Sequence, residues 1–67
     1  MPIIRVEMLE GRSAEAKAAL MRRLTQAAVE TLGVEPGRVR VLLHELPPEN
    51  WGVAGEPLSP PTPVKGD

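Results

Sequence analysis

The 67-residue chain contains no cysteine, no phenylalanine and no tyrosine, and its single aromatic residue is Trp51. The absence of cysteine excludes disulfide bonds and thiolate zinc sites. The one histidine, His44, has no partner at H-x-x-E or H-x-H spacing, so no metal site is predicted. A chain of this size buries only about 60% of the surface that it exposes when unfolded. Self-association is then the remaining way to complete a core.

Strong charge and long apolar runs are also lacking. Eight Lys and Arg residues face nine Asp and Glu residues, which gives a net charge of -1. This balance argues against nucleic acid as a partner. No apolar stretch approaches the ~20 residues that a membrane-spanning helix needs. The first thirty residues lack the apolar core of a signal peptide, so we expect a soluble cytoplasmic protein without a membrane partner.

Two segments predict β-strands. Residues 3–9 alternate apolar and charged side chains with period two. Residues 38–46 also alternate, but apolar side chains fall on both faces, as in a sheet that is covered on each side. Pro47 and Pro48 end this second strand because proline cannot donate to a strand ladder. The predicted core face of the first strand consists of Ile4, Val6 and Met8.

A helix is predicted between these strands, over residues 14–32. Ser13 is a typical N-cap, Gly33 is a typical C-terminal stop, and Pro36 prevents any continuation. The apolar positions recur with a period near 3.6 residues, which is typical of a helix with one buried face. The predicted stripe comprises the Lys17 stem, Leu20, Met21, Leu24, Ala27, Ala28, Thr31 and Leu32.

The order strand, helix, strand indicates an α+β fold built on one β-α-β unit with parallel strands and a right-handed crossover. The segment ENWGVAGEP predicts a loop or a short C-terminal hairpin. We predict a domain over residues 1–56 and a proline-rich, disordered tail over residues 57–67. The P-x-x-P spacing in this tail fits an SH3-like groove, although a plain unstructured tail is favoured. Two strands and one helix leave a sheet face bare, so we expect oligomerisation to complete the core.

Pro2 is the first residue that could carry chemistry. Removal of Met1 would expose a secondary amine, and an α-amino group has a reference pKa of about 7.7–8.0. Burial disfavours the charged form and lowers that pKa toward neutrality, where a general base works best. The alternative interpretation is that Pro2 only begins an edge strand.

Three further residues each allow a functional and a plain interpretation. Arg12 and Arg40 could grip carboxylates through bidentate guanidinium contacts. Equally, Arg12 could be solvated before the helix, and Arg40 could point outward from its strand. Trp51 could exclude water from a site or could simply anchor its glycine-rich loop.

These features occur together in the run PIIRVEMLEGRS, the helix, the segment GRVRV, the strand end HEL and the loop WGVAGE. In this arrangement the chain resembles the 4-oxalocrotonate tautomerase family, whose members use an amino-terminal proline. The resemblance runs without gaps from Pro2 to about Glu56. Best-known members carry phenylalanine where this chain has Trp51. Related dehalogenases carry an arginine and a carboxylate where this chain has Leu9 and Val53, so the resemblance argues against dehalogenation.

The resemblance implies a cofactor-independent keto–enol isomerase. Pro2 would move a proton between the hydroxyl oxygen and a distant carbon of a dicarboxylate dienol such as 2-hydroxymuconate. Arg12 and Arg40, from different protomers, would hold the carboxylates and the developing charge on the 2-oxo group. Trp51 would keep the substrate pocket apolar. The resemblance further implies a homohexamer, a trimer of dimers, that acts in aromatic compound catabolism and needs no cofactor or metal.

Two other functions remain open at this point. One is a non-catalytic assembly subunit with the same fold, for example a chain that keeps Met1. The other is a tautomerase for a monoacid enol such as phenylenolpyruvate. The presence of two arginines favours a diacid over this second alternative.

Overall fold

A parallel two-stranded sheet and one helix form the framework, which a computed structural model describes for residues 1–59. Strand β1, Ile3–Leu9, pairs with strand β2, Arg40–Leu46, and helix α1, Ala14–Leu32, connects them. The predicted β-α-β unit with parallel strands is therefore confirmed. The register places Ile3 opposite Arg40.

Both ends of α1 fall where the sequence predicts them. The Ser13 hydroxyl accepts a hydrogen bond from the Ala16 N–H at 3.1 Å, which satisfies one of the free amide groups of the first turn. Gly33 adopts a left-handed conformation, with φ of 69°, and its N–H donates to the Val29 carbonyl at 2.9 Å. A left-handed residue ends a helix at little cost only when it is glycine.

Strand β2 begins two residues later than predicted. The sequence predicts a strand from residue 38, whereas the structure has a 3₁₀ helix at Pro36–Arg38 and the strand starts at Arg40. The N–H of Val39 donates to the Pro36 carbonyl at 3.1 Å. Proline suits the first position of such a turn because its φ is already near the helical value and it has no N–H to satisfy.

The C-terminal segment forms the short hairpin that the sequence allows. Strands β3, Gly52–Val53, and β4, Glu56–Pro57, pair in antiparallel fashion. A second 3₁₀ helix, Pro48–Asn50, connects the end of β2 to this hairpin. Of the two predicted alternatives for this segment, a loop or a short hairpin, the structure shows the hairpin.

The tail predicted over residues 57–67 is described only at its start. Pro57 pairs with Gly52 in the hairpin, and the Leu58 N–H donates to the Trp51 carbonyl at 3.0 Å. The first residues of the predicted tail therefore belong to the hairpin. The prediction of a disordered, proline-rich tail otherwise concerns residues 60–67, which lie outside the described residues.

The core of a single chain is very small. Within residues 1–59, only Ala28 and Val39 are buried. The predicted stripe is partly correct, because the Lys17 stem, Leu20 and Leu24 are half-buried. Met21, Ala27, Thr31 and Leu32 of this stripe are exposed in a single chain.

The exposure at the end of the helix follows from the lengths of the elements. A helix of 19 residues rises about 28 Å. A seven-residue strand spans only about 20 Å. The helix therefore extends past the sheet, and no element within residues 1–59 covers its last turn. Leu32, in the last turn of α1, is 60% exposed as a result.

The two faces of the sheet differ sharply. The helix packs over the face that carries Val6 and Leu43, and the Lys17 Nζ pairs with the Glu45 Oε1 at 2.9 Å across this contact. On the opposite face, Ile3 remains 61% exposed. The predicted bare face is therefore present. No helix within residues 1–59 is long and apolar enough to cross a membrane.

Candidate active site

Pro2 and Arg40 lie side by side at the edge of the sheet where both strands begin. The Arg40 N–H donates to the Pro2 carbonyl at 3.0 Å, and Pro2 is half-buried. This proximity follows from the topology, since the amino ends of parallel strands meet at one edge of a sheet. The structure thus brings two of the four predicted site residues together.

The Arg40 side chain is held by the loop before β2. Its Nη1 donates to the Gly37 carbonyl at 2.6 Å and to the Val39 carbonyl at 3.4 Å. A guanidinium group has five N–H donors, so these contacts at one nitrogen leave donors for an anion. Arg40 is otherwise exposed, which makes the group accessible from solvent.

Met1 precedes Pro2 in the described chain and is 72% exposed. As long as this residue is attached, the Pro2 nitrogen belongs to a peptide bond, whose delocalised electrons leave it without useful basicity. The nitrogen can accept a proton only after Met1 has been removed. Its exposed position leaves Met1 accessible to a processing enzyme.

Arg12 lies at the opposite edge of the sheet, beyond the end of β1. Gly11 turns the chain with φ of 120°, and the Arg12 Nη1 then donates to the Leu9 carbonyl at 3.3 Å. Arg12 is exposed. Strand β1 has seven residues, so about 20 Å of strand separates the Pro2 edge from the Arg12 edge.

Trp51 also lies toward the carboxyl ends of the strands. Its N–H donates to the Pro48 carbonyl at 3.2 Å, which closes the 3₁₀ helix before the hairpin, and its side chain is half-buried. Beside it is a pocket of about 240 Å³, lined by Glu7, Leu46, Asn50, Trp51 and Gly52. The predicted apolar wall therefore has polar neighbours.

One chain does not assemble the four predicted site residues. Pro2 and Arg40 lie at the amino edge of the sheet, where both strands begin. Arg12 and Trp51 lie at the carboxyl edge, where both strands end. A single substrate can meet both sets only if the carboxyl edge of another copy approaches the amino edge of this one.

Sequence reasoning missed Glu7 as a neighbour of Trp51. The period-two pattern places Glu7 only on the face of β1 opposite to Ile4, Val6 and Met8. Parallel pairing sets Glu7 opposite His44, two residues before the end of β2. The strand parity was visible in the sequence, but the position of the Trp51 loop against that face was not.

Within residues 1–59, no cluster of three or more histidine, cysteine, aspartate or glutamate side chains could hold a metal ion.

Comparison with known proteins identifies the family. The family described as tautomerase enzyme matches residues 2–60. A probable tautomerase of Ralstonia nicotianae is 58% identical over 59 residues, which cover 88% of this chain and 84% of that protein. A 2-hydroxymuconate tautomerase of Comamonas testosteroni is 49% identical over 55 residues, which cover 82% of this chain and 87% of that protein.

Solved structures agree with the sequence match. TomN, a 4-oxalocrotonate tautomerase homologue in the tomaymycin biosynthetic pathway, superposes with a TM-score of 0.82 at 53% identity, covering 85% of this chain and 88% of its own. A heterohexamer 4-oxalocrotonate tautomerase from Chloroflexus aurantiacus gives 0.81 at 43% identity, covering 87% of this chain and 94% of its own. The chain belongs to the tautomerase family and is an isomerase.

Proposed function

We propose that the protein converts 2-hydroxymuconate-like dienols into the conjugated 2-oxo acid, with the free nitrogen of Pro2 as the proton carrier. The observation that carries this proposal is the placement of half-buried Pro2 beside an accessible arginine, Arg40, at one edge of the sheet. The name of the Comamonas relative, a 2-hydroxymuconate tautomerase, supports the choice of substrate. The proposal includes a role in aromatic compound catabolism in the cytoplasm.

The reaction is an isomerisation, so substrate and product have the same atomic composition. The Pro2 nitrogen takes the proton of the 2-hydroxyl group, and the oxygen forms a carbonyl as the double bonds shift along the chain. The protonated amine then returns a proton to a distant carbon. Because one group acts first as base and then as acid, a reference pKa near 7.7–8.0 suits it to both steps.

The two arginines have different tasks in this proposal. Arg40, next to Pro2, would contact the 2-oxygen and its neighbouring carboxylate, where negative charge builds up during the reaction. Arg12 would hold the remote carboxylate equally in the ground and transition states. Since Arg12 lies about 20 Å of strand away from Pro2 in the same chain, it would come from another protomer.

We propose a homohexamer as the active assembly. The exposed apolar positions Ile3 and Leu42 on the bare sheet face, and Met21 and Leu32 on the helix, support burial against other copies. The Chloroflexus relative is a heterohexamer. Six chains of 7.2 kDa would have a mass of about 43 kDa. Light scattering at micromolar concentration measures this mass directly, and a folded monomer would contradict both the hexamer and the shared site.

The decisive experiment follows the ultraviolet absorbance of 2-hydroxymuconate with protein whose Met1 has been removed, as verified by intact mass. We expect rapid ketonisation by this form. The same chain with Met1 retained is the matched control and should be inactive, because its Pro2 nitrogen is an amide. Equal rates for the two forms would exclude Pro2 as the base.

Two alternative functions are tested by the same preparations. A chain that keeps Met1 in its natural state would be a non-catalytic assembly subunit, and the intact mass of natural protein decides this. A tautomerase for a monoacid enol is favoured by one observation, the carboxylate of Glu7 in the pocket beside Trp51. Comparing phenylenolpyruvate with 2-hydroxymuconate distinguishes that function from the first.

A further inference from the structure

The pocket beside Trp51 combines an aromatic wall with an acidic one. Leu46 and Trp51 provide apolar surface, while the Glu7 carboxylate and the Asn50 amide provide polar groups. Glu7 belongs to the outward face of β1, away from the helix, and is exposed. An anionic group that enters this pocket therefore meets a carboxylate next to the indole.

Nothing in the described chain neutralises this carboxylate by direct contact. Within residues 1–59, the Glu7 side chain takes part in no hydrogen bond or ion pair. The cationic or titratable groups on the same sheet face are Arg5, two residues earlier on β1, and Arg40 and His44 on β2, of which His44 lies directly opposite Glu7. None of them lines the pocket, and none pairs with Glu7.

Arg12, the proposed partner of the remote carboxylate, does not line this pocket either. Its Nη1 is directed to the Leu9 carbonyl. The attraction from Arg12 and the repulsion from Glu7 therefore act at different points of the carboxyl edge. A substrate end that lies in this pocket meets Glu7 among the lining residues, and does not meet Arg12 there.

We propose that Glu7 is a specificity-determining residue that selects against a carboxylate beside Trp51 and favours substrates with an uncharged group there. This inference rests on the proposed tautomerase site and refines its substrate class. Under this proposal, the carboxylates of a diacid bind only at the arginines. The charge of Glu7 then raises kcat/KM for an enol with an apolar far end relative to kcat/KM for a diacid.

The kinetic test compares the ratio of kcat/KM for 2-hydroxymuconate to that for phenylenolpyruvate. Glu7→Gln keeps the shape of the side chain and removes its charge, so the ratio should rise about fivefold, as expected for two unit charges a few ångströms apart in a solvent-exposed site. Glu30→Gln on α1 removes the same charge outside the pocket and is the control. The rise should shrink at high ionic strength because salt screens exposed charges.

A second measurement does not depend on turnover. Trp51 is the only tryptophan, so its fluorescence reports on this pocket alone. Iodide, an anion, should quench Trp51 about twofold more efficiently in Glu7→Gln than in the unchanged protein. Acrylamide, which is neutral, should quench both forms equally and thereby controls for any change in accessibility.

The outcomes separate the two proposals. If Met1-free protein isomerises both enols, an unchanged substrate ratio in Glu7→Gln overturns the role of Glu7 while the proposed function stands. If the protein isomerises neither enol, the proposed function fails, and the iodide measurement still decides Glu7. Equal iodide quenching of Glu7→Gln, Glu30→Gln and the unchanged protein would then overturn the inference.

Discussion

The two edges of the sheet contribute different halves of the proposed chemistry. The amino edge carries the candidate proton carrier, Pro2, and the arginine beside it, Arg40. The carboxyl edge carries Arg12, Trp51 and the acidic wall of the Trp51 pocket. The first edge is suited to proton transfer, and the second is suited to choosing and holding the far end of a substrate.

This division explains why one chain is insufficient. In open parallel sheets, ligands usually bind at the carboxyl ends of the strands. Here the proposed base, Pro2, instead precedes β1 and lies at the amino ends of the strands. In the proposed assembly, the carboxyl edge of a second copy therefore meets the amino edge of the first.

The largest expected effect concerns the amino edge. Pro2→Ala replaces a secondary amine with a primary amine of different basicity and geometry. We expect kcat to fall at least ~100-fold, the lower end of the range for general acid–base catalysis. Pro57→Ala, at the carboxyl edge, is the matched control and should leave kcat unchanged. A normal kcat for Pro2→Ala would show that proton transfer does not depend on the amino edge.

Substituting the arginine at each edge should change a different kinetic constant. Arg40→Ala should lower kcat, since its contact with the 2-oxygen strengthens in the transition state. Arg12→Ala should mainly raise KM, because it grips a carboxylate that does not change during the reaction. Each charge-assisted contact is worth about 1.5–3 kcal/mol, or about 10- to 100-fold.

Arg22→Ala and Arg23→Ala, on the exposed side of α1, are the controls for loss of a positive charge. They should match the unchanged enzyme in steady-state assays with a dicarboxylate dienol. If Arg12→Ala and Arg40→Ala behave as these controls do, the two arginines are solvated surface charges and the carboxylate assignment is wrong.

Mixing two impaired variants tests whether the residues of one site come from different chains. Pro2→Ala and Arg12→Ala proteins should be unfolded together, refolded and assayed under conditions where Arg12 is needed. If each site takes one residue from each of two chains, about a quarter of the sites regain both residues by random assembly. If each site is formed within one chain, no chain carries both residues and the mixture stays at the level of the separate variants.

The smallest expected effect concerns the hairpin that follows Trp51. Ala54 has φ of 55° and Gly55 has φ of 87°, so both central residues of this two-residue turn are left-handed. Alanine is strained there, whereas asparagine is favoured at the first position. Ala54→Asn should raise the free energy of unfolding by about 0.5–1 kcal/mol, measured by urea denaturation.

Gly55→Ala is the control that should destabilise the hairpin. A Cβ at this position meets nothing within 4 Å, so any loss of stability reports backbone strain alone. We expect a loss of about 1 kcal/mol. Neither substitution should change kcat, because the proton carrier lies at the other edge. Equal stability of both variants would show that the turn conformation carries no strain.

Local features were predictable from the sequence because their causes are local. The capping residues Ser13 and Gly33 define α1, and the alternation in β1 defines its faces. The start of β2 was wrong by two residues because the turn at Pro36–Arg38 competes with the strand. The exposure of Met21 in a single chain was not predictable, since periodicity identifies an apolar position but not whether anything covers it.

By itself, the sequence determined the strand–helix–strand order and the residue types available for proton transfer and carboxylate binding. These depend on neighbours in the chain, on caps, prolines and period-two or 3.6-residue patterns. Only the tertiary structure decided that Pro2 and Arg40 share one edge while Arg12 lies at the other, and that Glu7 enters the Trp51 pocket. The reason is that parallel pairing and the packing of the C-terminal hairpin bring together residues far apart in the chain, and no local pattern encodes that register.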